Sequence, residues 1–398
     1  MSNFAPGEMD KPAILGGEPL LKEFLPITRP YLPSYETLEA DIKKMMASGL
    51  ITNDKYVKKF EETARNFLGA QHIVAVSSCT SGLILAERAL RLKGEIILPS
   101  LTFFATGHSL LWNNLTPVFV DVDPETFLID PEKVNEAMTS KTSAILGVHT
   151  YGCPAPAKEL EQIAHDQHIT LLFDAAHAFG AKIGNKNVGT FGDIEVFSCS
   201  PTKVMVTGEG GVCATPHEDL KKKLMAGRNY GDDGTYDCDL LGLNARMPEF
   251  NAILGIQSIH LTNENIEKRE KIYTIYRKGL SKIPGITFQK FPQNVKVTHK
   301  DTPLLIDPHT FGMHRDVLLS ALEKENIMTK KYFFPPLHRQ KLYKEYFPLY
   351  DKKLPHTNHI SENILSIPLY SSMSEEQAHA VVHSIERLFE HREKVAPK

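Results

Sequence analysis

The sequence predicts an α/β fold: a mostly parallel sheet covered by helices on both faces, followed by a smaller α/β unit. Two observations predict it. Short apolar runs of three to five residues alternate with amphipathic stretches between residues 73 and 214, the pattern of a sheet built from strand–helix crossovers. From about Asn263 the alternation gives way to a long charged helix and then shorter mixed elements. A chain of 398 residues is long enough for two such units, each with its own core.

The elements follow in order. Residues 1–30 are rich in Pro and Gly and read as an N-terminal arm. Tyr35 to Met46 and Val57 to Phe67 carry apolar residues at helical spacing. Ile73–Val76 is a strand leading to a helix from Ser81, and Ile96–Leu98 precedes a helix over Ala105–Trp112. Val118–Val122, Ala144–Val148 and Thr170–Phe173 are further strands, with a helix over Glu159–Asp166 before the last. Ile194–Phe197 and Gly211–Ala214 read as a closing pair. A helix from Asn263 to Lys282, a strand at Thr302–Ile306 and helices at Arg315–Glu325 and Ser374–Glu390 form the second unit. The expected division is an arm (1–30), a large domain (31–262) and a small C-terminal domain (263–398).

Composition narrows the function. The chain is 42% hydrophobic and 23% charged with a net charge of −3, so it builds no field for nucleic acid or an anionic membrane. Cys79, Cys153, Cys199, Cys213 and Cys238 are odd in number and scattered, without a C-x-x-C pair, which speaks against a disulfide framework and a zinc cluster. Met1–Asp10 lacks the basic flank and apolar stretch of a signal peptide. The expectation is a reduced, cytoplasmic protein without a metal.

Chemistry in an open parallel sheet gathers at the carboxyl ends of its strands. Three such ends carry unusual residues. Val76-Ser77-Ser78-Cys79-Thr80-Ser81-Gly82 runs from strand into helix, where free amides and hydroxyls suit a phosphate. Plain N-capping explains the same residues. Leu172-Phe173-Asp174 ends an apolar strand in an acid, which is costly unless a cation meets it or the acid caps the next helix. His177, three residues on, braces the site or is a satisfied core histidine. Ser198-Cys199-Ser200-Pro201-Thr202-Lys203 sets a lysine after a strand and before the Gly208–Gly211 turn, a place for a Schiff-base lysine as well as for a surface one. A phosphate cradle, a buried acid and a lysine on one sheet are the parts that a pyridoxal-phosphate (PLP) enzyme needs.

Ordered motifs extend this. Ser78 through Leu83, Pro99-Ser100-Leu101-Thr102-Phe103, Pro117 through Asp123, Asp174 through Ala178, Lys203 through Gly211 and Gly242 through Met247 resemble, over most of the chain from Pro26, the DegT/DnrJ/EryC1/StrS sugar aminotransferases. The resemblance implies PLP fold type I (aspartate aminotransferase-like), PLP as cofactor, and a homodimer. It implies Lys203 and Asp174 as catalytic residues, Lys203 bearing the cofactor as an aldimine and Asp174 facing the pyridine nitrogen. Phe103 would stack on the ring, Thr80 and Ser81 would bind the phosphate through amides and Ser198 through its hydroxyl, with His177 beside them. Asn244 would reach the phosphate from the partner subunit. Cys199-Ser200 stands where many relatives have Phe-His, which alters the packing of the lysine loop but keeps the lysine. A dehydratase branch replaces that lysine with histidine, and Lys203 speaks against it.

Gly107 through Trp112, His149 through Gly152, Met313 through Asp316 and Leu354 through Thr357 are similar to the subgroup acting on TDP-4-keto-6-deoxyglucose at C4. Tyr332 and His338 align with a segment near the sugar-nucleotide pocket, or pack as aromatics around a proline turn. The implied reaction moves an amino group from glutamate to C4 of a dTDP-4-keto-6-deoxyhexose. A C3 aminotransferase, another PLP sugar-modifying enzyme and a non-catalytic PLP-binding regulator remain alternatives at this stage.

Overall fold

The computed structural model describes residues 11–347 and 350–396. Expectations for Met1–Asp10 lie outside these residues. Helices α1 (Tyr35–Ser48) and α2 (Lys55–Leu68) come first. Tyr56, Val57, Phe60, Ala64 and Leu68 recur at helical spacing and are buried, so α2 lays one apolar stripe on the sheet. Phe60 and Leu68 are fully buried, and each such side chain contributes about 2–3 kcal/mol of transfer free energy.

The main sheet has seven strands: β1 (His72–Val76), β2 (Glu95–Pro99), β3 (Thr116–Val120), β4 (Thr142–Val148), β5 (Thr170–Asp174), β6 (Ile194–Ser198) and β7 (Gly211–Thr215), in the order β1-β7-β6-β5-β4-β2-β3. The β6–β5, β5–β4, β4–β2 and β2–β3 pairs are parallel. β7 runs against both β6 and β1, so six strands share one direction. Alternation sorts the side chains: Val74 and Val76 join the core under α3 (Cys79–Ala89), α4 (Phe104–Trp112) and α6 (Glu218–Gly227), whereas Ile73 and Ala75 face α2. The helix α5 (Ala157–Gln167) covers Ile97, Ile145, Leu171 and Phe173. The fold is the α/β architecture of fold type I.

One element departs from expectation. The helix expected to start at Asn263 starts at Glu249 and runs to Leu280 as α7, 32 residues long. It crosses the 262/263 division without a break. Its first half buries Ala252, Ile253, Ile256 and Ile259 in the large core, and its second half buries Tyr276 and Leu280 in the small one. The earlier start was hidden because this half is mostly apolar and Pro248 provides no side-chain cap.

The C-terminal part holds β8 (Ile286–Phe288), β9 (Thr302–Ile306) and β10 (Ile364–Ile367), antiparallel in the order β8-β9-β10, with α8 (Arg315–Lys324) and α9 (Glu375–Glu390). The described portion of the N-terminal arm docks on this part. Leu25 pairs with Asn326 and Met328, and Ala13 N–H donates to Glu325 (2.8 Å), whose carboxylate also meets Arg387. Among the described residues no helix is long and apolar enough to cross a membrane.

Candidate active site

Strand register brings three chain segments to one edge of the sheet. Asp174 pairs with Val148 and Val196, Ser198 with Gly211, and Gly211 with Val76. The ends of β1, β5 and β6 therefore lie side by side with the start of β7. A Cβ on Gly211 would come within 2.7 Å of Cys79 N, so only glycine lets β7 pass beneath the start of α3. A cavity of ≈ 370 Å³ opens above this edge. Ser78, Cys79, Thr80, Phe103, Asp174, His177, Ser198, Lys203 and Tyr332 line it together with Lys300 and Asp301.

Asp174 is 5% exposed. Its Oδ1 accepts the Ala176 amide (3.0 Å) and its Oδ2 accepts the Thr106 hydroxyl (2.7 Å). The carboxylate is thus oriented from two sides while it still faces the cavity.

Lys203 sits in a loop closed by its own backbone: Cys199 N–H donates to Gly210, and Thr207 N–H donates back to Cys199. Burial, and then the charge of Lys300, lower the Lys203 amine from 10.5 to about 8, against the opposing pull of Asp301, Cys79 and Asp174. His177 is held well below its usual range by burial, then by Lys203 and Lys300, so its imidazole is neutral beside two lysines.

At the other end, Ser78 caps α3 and Ser81 completes a capping box. The amides of Cys79 and Thr80, in the first turn, have no helix carbonyl to serve, and both residues line the cavity with Ser198 and Ser200. Ser81 does not line the cavity. Its amide is spent on Ser78 Oγ (3.0 Å) and its hydroxyl accepts the Ser78 amide (3.1 Å), so the cap takes the donor that was expected to meet a phosphate.

His338 is also displaced from its expected place. It is 2% exposed, outside the cavity lining. Ser100 Oγ, which accepts the His338 amide, donates to Nδ1 (2.7 Å), and Nε2–H donates to Asn358 Oδ1 (3.0 Å). Burial, reinforced by Arg339, lowers it to about 4, so its imidazole is neutral where it joins Ser100 to Asn358. Asn244 is exposed, bridged to Asn229 through the backbone and away from this chain's cavity. Tyr332 does line the cavity, its phenol pushed up to about 12 by burial and then by Asp301.

Sequence reasoning missed Lys300, Asp301 and the groups behind them. Lys300 Nζ meets Asp301 Oδ1 at 2.7 Å, with side-chain exposures of only 5% and 6%. The signal was two adjacent charges directly before the apolar strand β9. Arg269 of α7 fixes this segment from below: Nη1 donates to the carbonyls of His299, Lys300 and Leu369 (3.3 Å each). The same helix holds the lysine loop, because Asn251 Nδ2 donates to Glu209 O (2.7 Å), Ser258 Oγ accepts from Val206 N–H (3.0 Å), and Asn265 Nδ2 donates to Val204 O (3.3 Å).

Comparison with known proteins decides the family. Residues 34–386 match the DegT/DnrJ/EryC1/StrS aminotransferase family. The chain belongs to that family. It is 34% identical over 356 residues to the dTDP-4-amino-4,6-dideoxy-D-glucose transaminase of Escherichia coli, covering 88% of this chain and 95% of the relative. It is 30% identical to the spore coat polysaccharide biosynthesis protein SpsC of Bacillus subtilis, over 91% of this chain and 96% of that one. Among solved structures, DesI, crystallised in the presence of its TDP-sugar product, superposes with a TM-score of 0.91 at 34% identity, covering 98% and 99% of the two chains.

The chain is thus a PLP-dependent sugar aminotransferase, and its cavity fits that cofactor. Unserved helix amides and two serines suit a phosphate, Phe103 offers an aromatic face, Asp174 a fixed carboxylate and Lys203 a depressed amine.

Proposed function

We propose that this chain transfers the amino group of glutamate to C4 of a dTDP-4-keto-6-deoxyhexose, acting as a homodimer in which each site is completed by Asn244 of the neighbouring subunit. The observation that carries the reading is that Lys203, Asp174 and the first-turn residues Cys79 and Thr80 line one cavity. The names of two similar proteins, a 4-amino-4,6-dideoxyglucose transaminase and a protein crystallised with a TDP-sugar product, support the sugar and the position.

PLP, when bound, supplies an electron-poor ring that can take up the charge left when a C–H bond beside nitrogen is ionised. The protein's own groups do the rest. The first-turn amides of Cys79 and Thr80 and the Ser198 hydroxyl would hold the phosphate, and Phe103 would offer its ring to the cofactor. Asp174, fixed by Thr106 and Ala176, would supply the negative charge that keeps a proton on the ring nitrogen. Lys203 Nζ, lowered to about 8, is free of its proton in enough molecules near neutral pH to accept the one on the donor's Cα. Neutral His177 adds no further positive charge beside the two lysines. Tyr332, protonated, offers a hydroxyl to the sugar.

The test takes the two half-reactions separately. The holoenzyme should lose its visible cofactor absorbance on addition of glutamate and regain it on addition of the 4-keto sugar nucleotide. NMR of the product should place the amine on C4. An amine on C3, or no response to glutamate, would reject the reading.

A further inference from the structure

Lys300 and Asp301 are unusual because they are buried, charged and incomplete. Their ion pair lies in the wall of the cavity that holds Lys203 and Asp174. An ammonium has three N–H donors, and Lys300 gives one to Asp301 Oδ1 (2.7 Å). Asp301 Oδ2 is buried without any hydrogen-bond partner. A buried pair left short on both sides is costly, and a ligand that serves both sides recovers that cost. The backbone beneath is not free to relax, since Lys300 N–H donates to Tyr151 O (3.1 Å) and Arg269 holds the Lys300 carbonyl (3.3 Å). The pair is therefore a preorganised feature of the cavity wall.

The missing partners define the ligand. Lys300 has N–H donors left over after its bond to Asp301 Oδ1, and Asp301 Oδ2 lacks an N–H or O–H donor. An α-amino acid carries both within three bonds, a carboxylate and an ammonium. A diphosphate carries acceptors only.

We infer that the Lys300–Asp301 pair is the docking point of the amino donor, with a donor carboxylate on Lys300 Nζ and its ammonium against Asp301 Oδ2. This assignment rests on the transamination reading above and adds a specificity-determining pair to it. Lys300, 97 positions beyond Lys203 (300 − 203), belongs to the C-terminal part of the chain. Donor binding would then bridge the lysine loop of the large sheet and the segment leading into β9.

The experiment uses glutarate, which has the donor's two carboxylates and no amine, so binding is read without turnover. Calorimetry on the holoenzyme should show Lys300→Gln binding glutarate about ten- to a hundredfold more weakly than wild type, the loss expected for one charge-assisted hydrogen bond. Thymidine diphosphate should bind both proteins equally. Loss of thymidine diphosphate binding with glutarate binding intact would overturn the inference and assign Lys300 to the sugar nucleotide. Unchanged binding of both would overturn it as well. A wild-type crystal soaked in glutarate answers without any variant: a carboxylate on Lys300 Nζ supports the assignment, and one elsewhere sinks it. If wild type shows no absorbance change with glutamate, the transamination reading itself fails. If it does respond but glutarate ignores Lys300, only this inference fails.

Discussion

Replacing Lys203 by Met should stabilise the cofactor-free protein. A native group lowered from 10.5 to about 8 corresponds to about 3 kcal/mol, because each factor of ten in proton affinity is about 1.4 kcal/mol. Lys203 is only partly buried and keeps contact with the water of the cavity, so about half of that, 1–2 kcal/mol, is the expected effect. The sign follows from proton counting. Between pH 8 and pH 10.5 the unfolded chain holds the lysine proton more tightly than the native one, so native stability rises with pH across that window. Below it the full cost is present. Lys203→Met removes the charge with little change in length. Urea unfolding of both apoproteins at pH 7 should therefore favour the variant by about 1–2 kcal/mol, and the gap should shrink as pH climbs towards 10. A gap of zero at pH 7, or one that stays constant with pH, would refute the claim that the cavity depresses this amine.

Three further outcomes are expected. Asp174→Ala should lower kcat by several orders of magnitude while circular dichroism stays native, since the ring nitrogen loses its counter-charge; a loss of a few-fold would reduce Asp174 to a loop-ordering residue. His338→Ala should cost about 2–3 kcal/mol of stability, because Ser100 and Asn358 each lose a buried partner, and should leave the KM for sugar nucleotide within about twofold; a higher KM at unchanged stability would put His338 back on the substrate. Mixing inactive Lys203→Ala chains with an inactive Asn244 variant should restore part of the activity, since one site of a mixed dimer keeps both native residues; no recovery from confirmed mixed dimers would mean that the two act within one chain.

What was legible in the sequence followed from local chemistry. The strands before Ser77, Ser198 and the one ending in Asp174 stood out because buried strands are short apolar runs, and their polar ends have little structural excuse. Positions where a second partner competes, near or distant in sequence, were harder to read. Ser81 fits a phosphate-binding position in sequence, but a serine three residues after Ser78 equally makes a capping box, and the folded helix uses it so. His338 follows an aromatic-proline segment that suits a pocket, yet its fate was settled by Ser100, 238 positions away. Strand β10 is a four-residue run directly behind a helix over Pro355–Asn363, too short to declare itself.

The helix α7 ties the two sides of the site together. Asn251, Ser258 and Asn265 recur every seven residues, two helical turns, so all three lie on nearly one line. That line faces the lysine loop and binds its backbone at Glu209, Val206 and Val204. One further turn brings Arg269, which holds the carbonyls of His299 and Lys300. Four side chains of one rod thus hold the backbone on either side of the site: the loop that presents the cofactor lysine and the segment that presents the Lys300–Asp301 pair. A continuous helix has a fixed rise of about 1.5 Å per residue, so the separation of the two is set by position in α7 and not by the long, variable connections between them. This explains why the chain keeps a fully buried Arg269 despite burial lowering it to about 10: its guanidinium is shared among carbonyls of the small part at the point where the helix enters it. The polar stripe at a spacing of seven was present in the sequence all along. It lay on a helix otherwise apolar enough to pass for core, so only the folded chain shows what it faces.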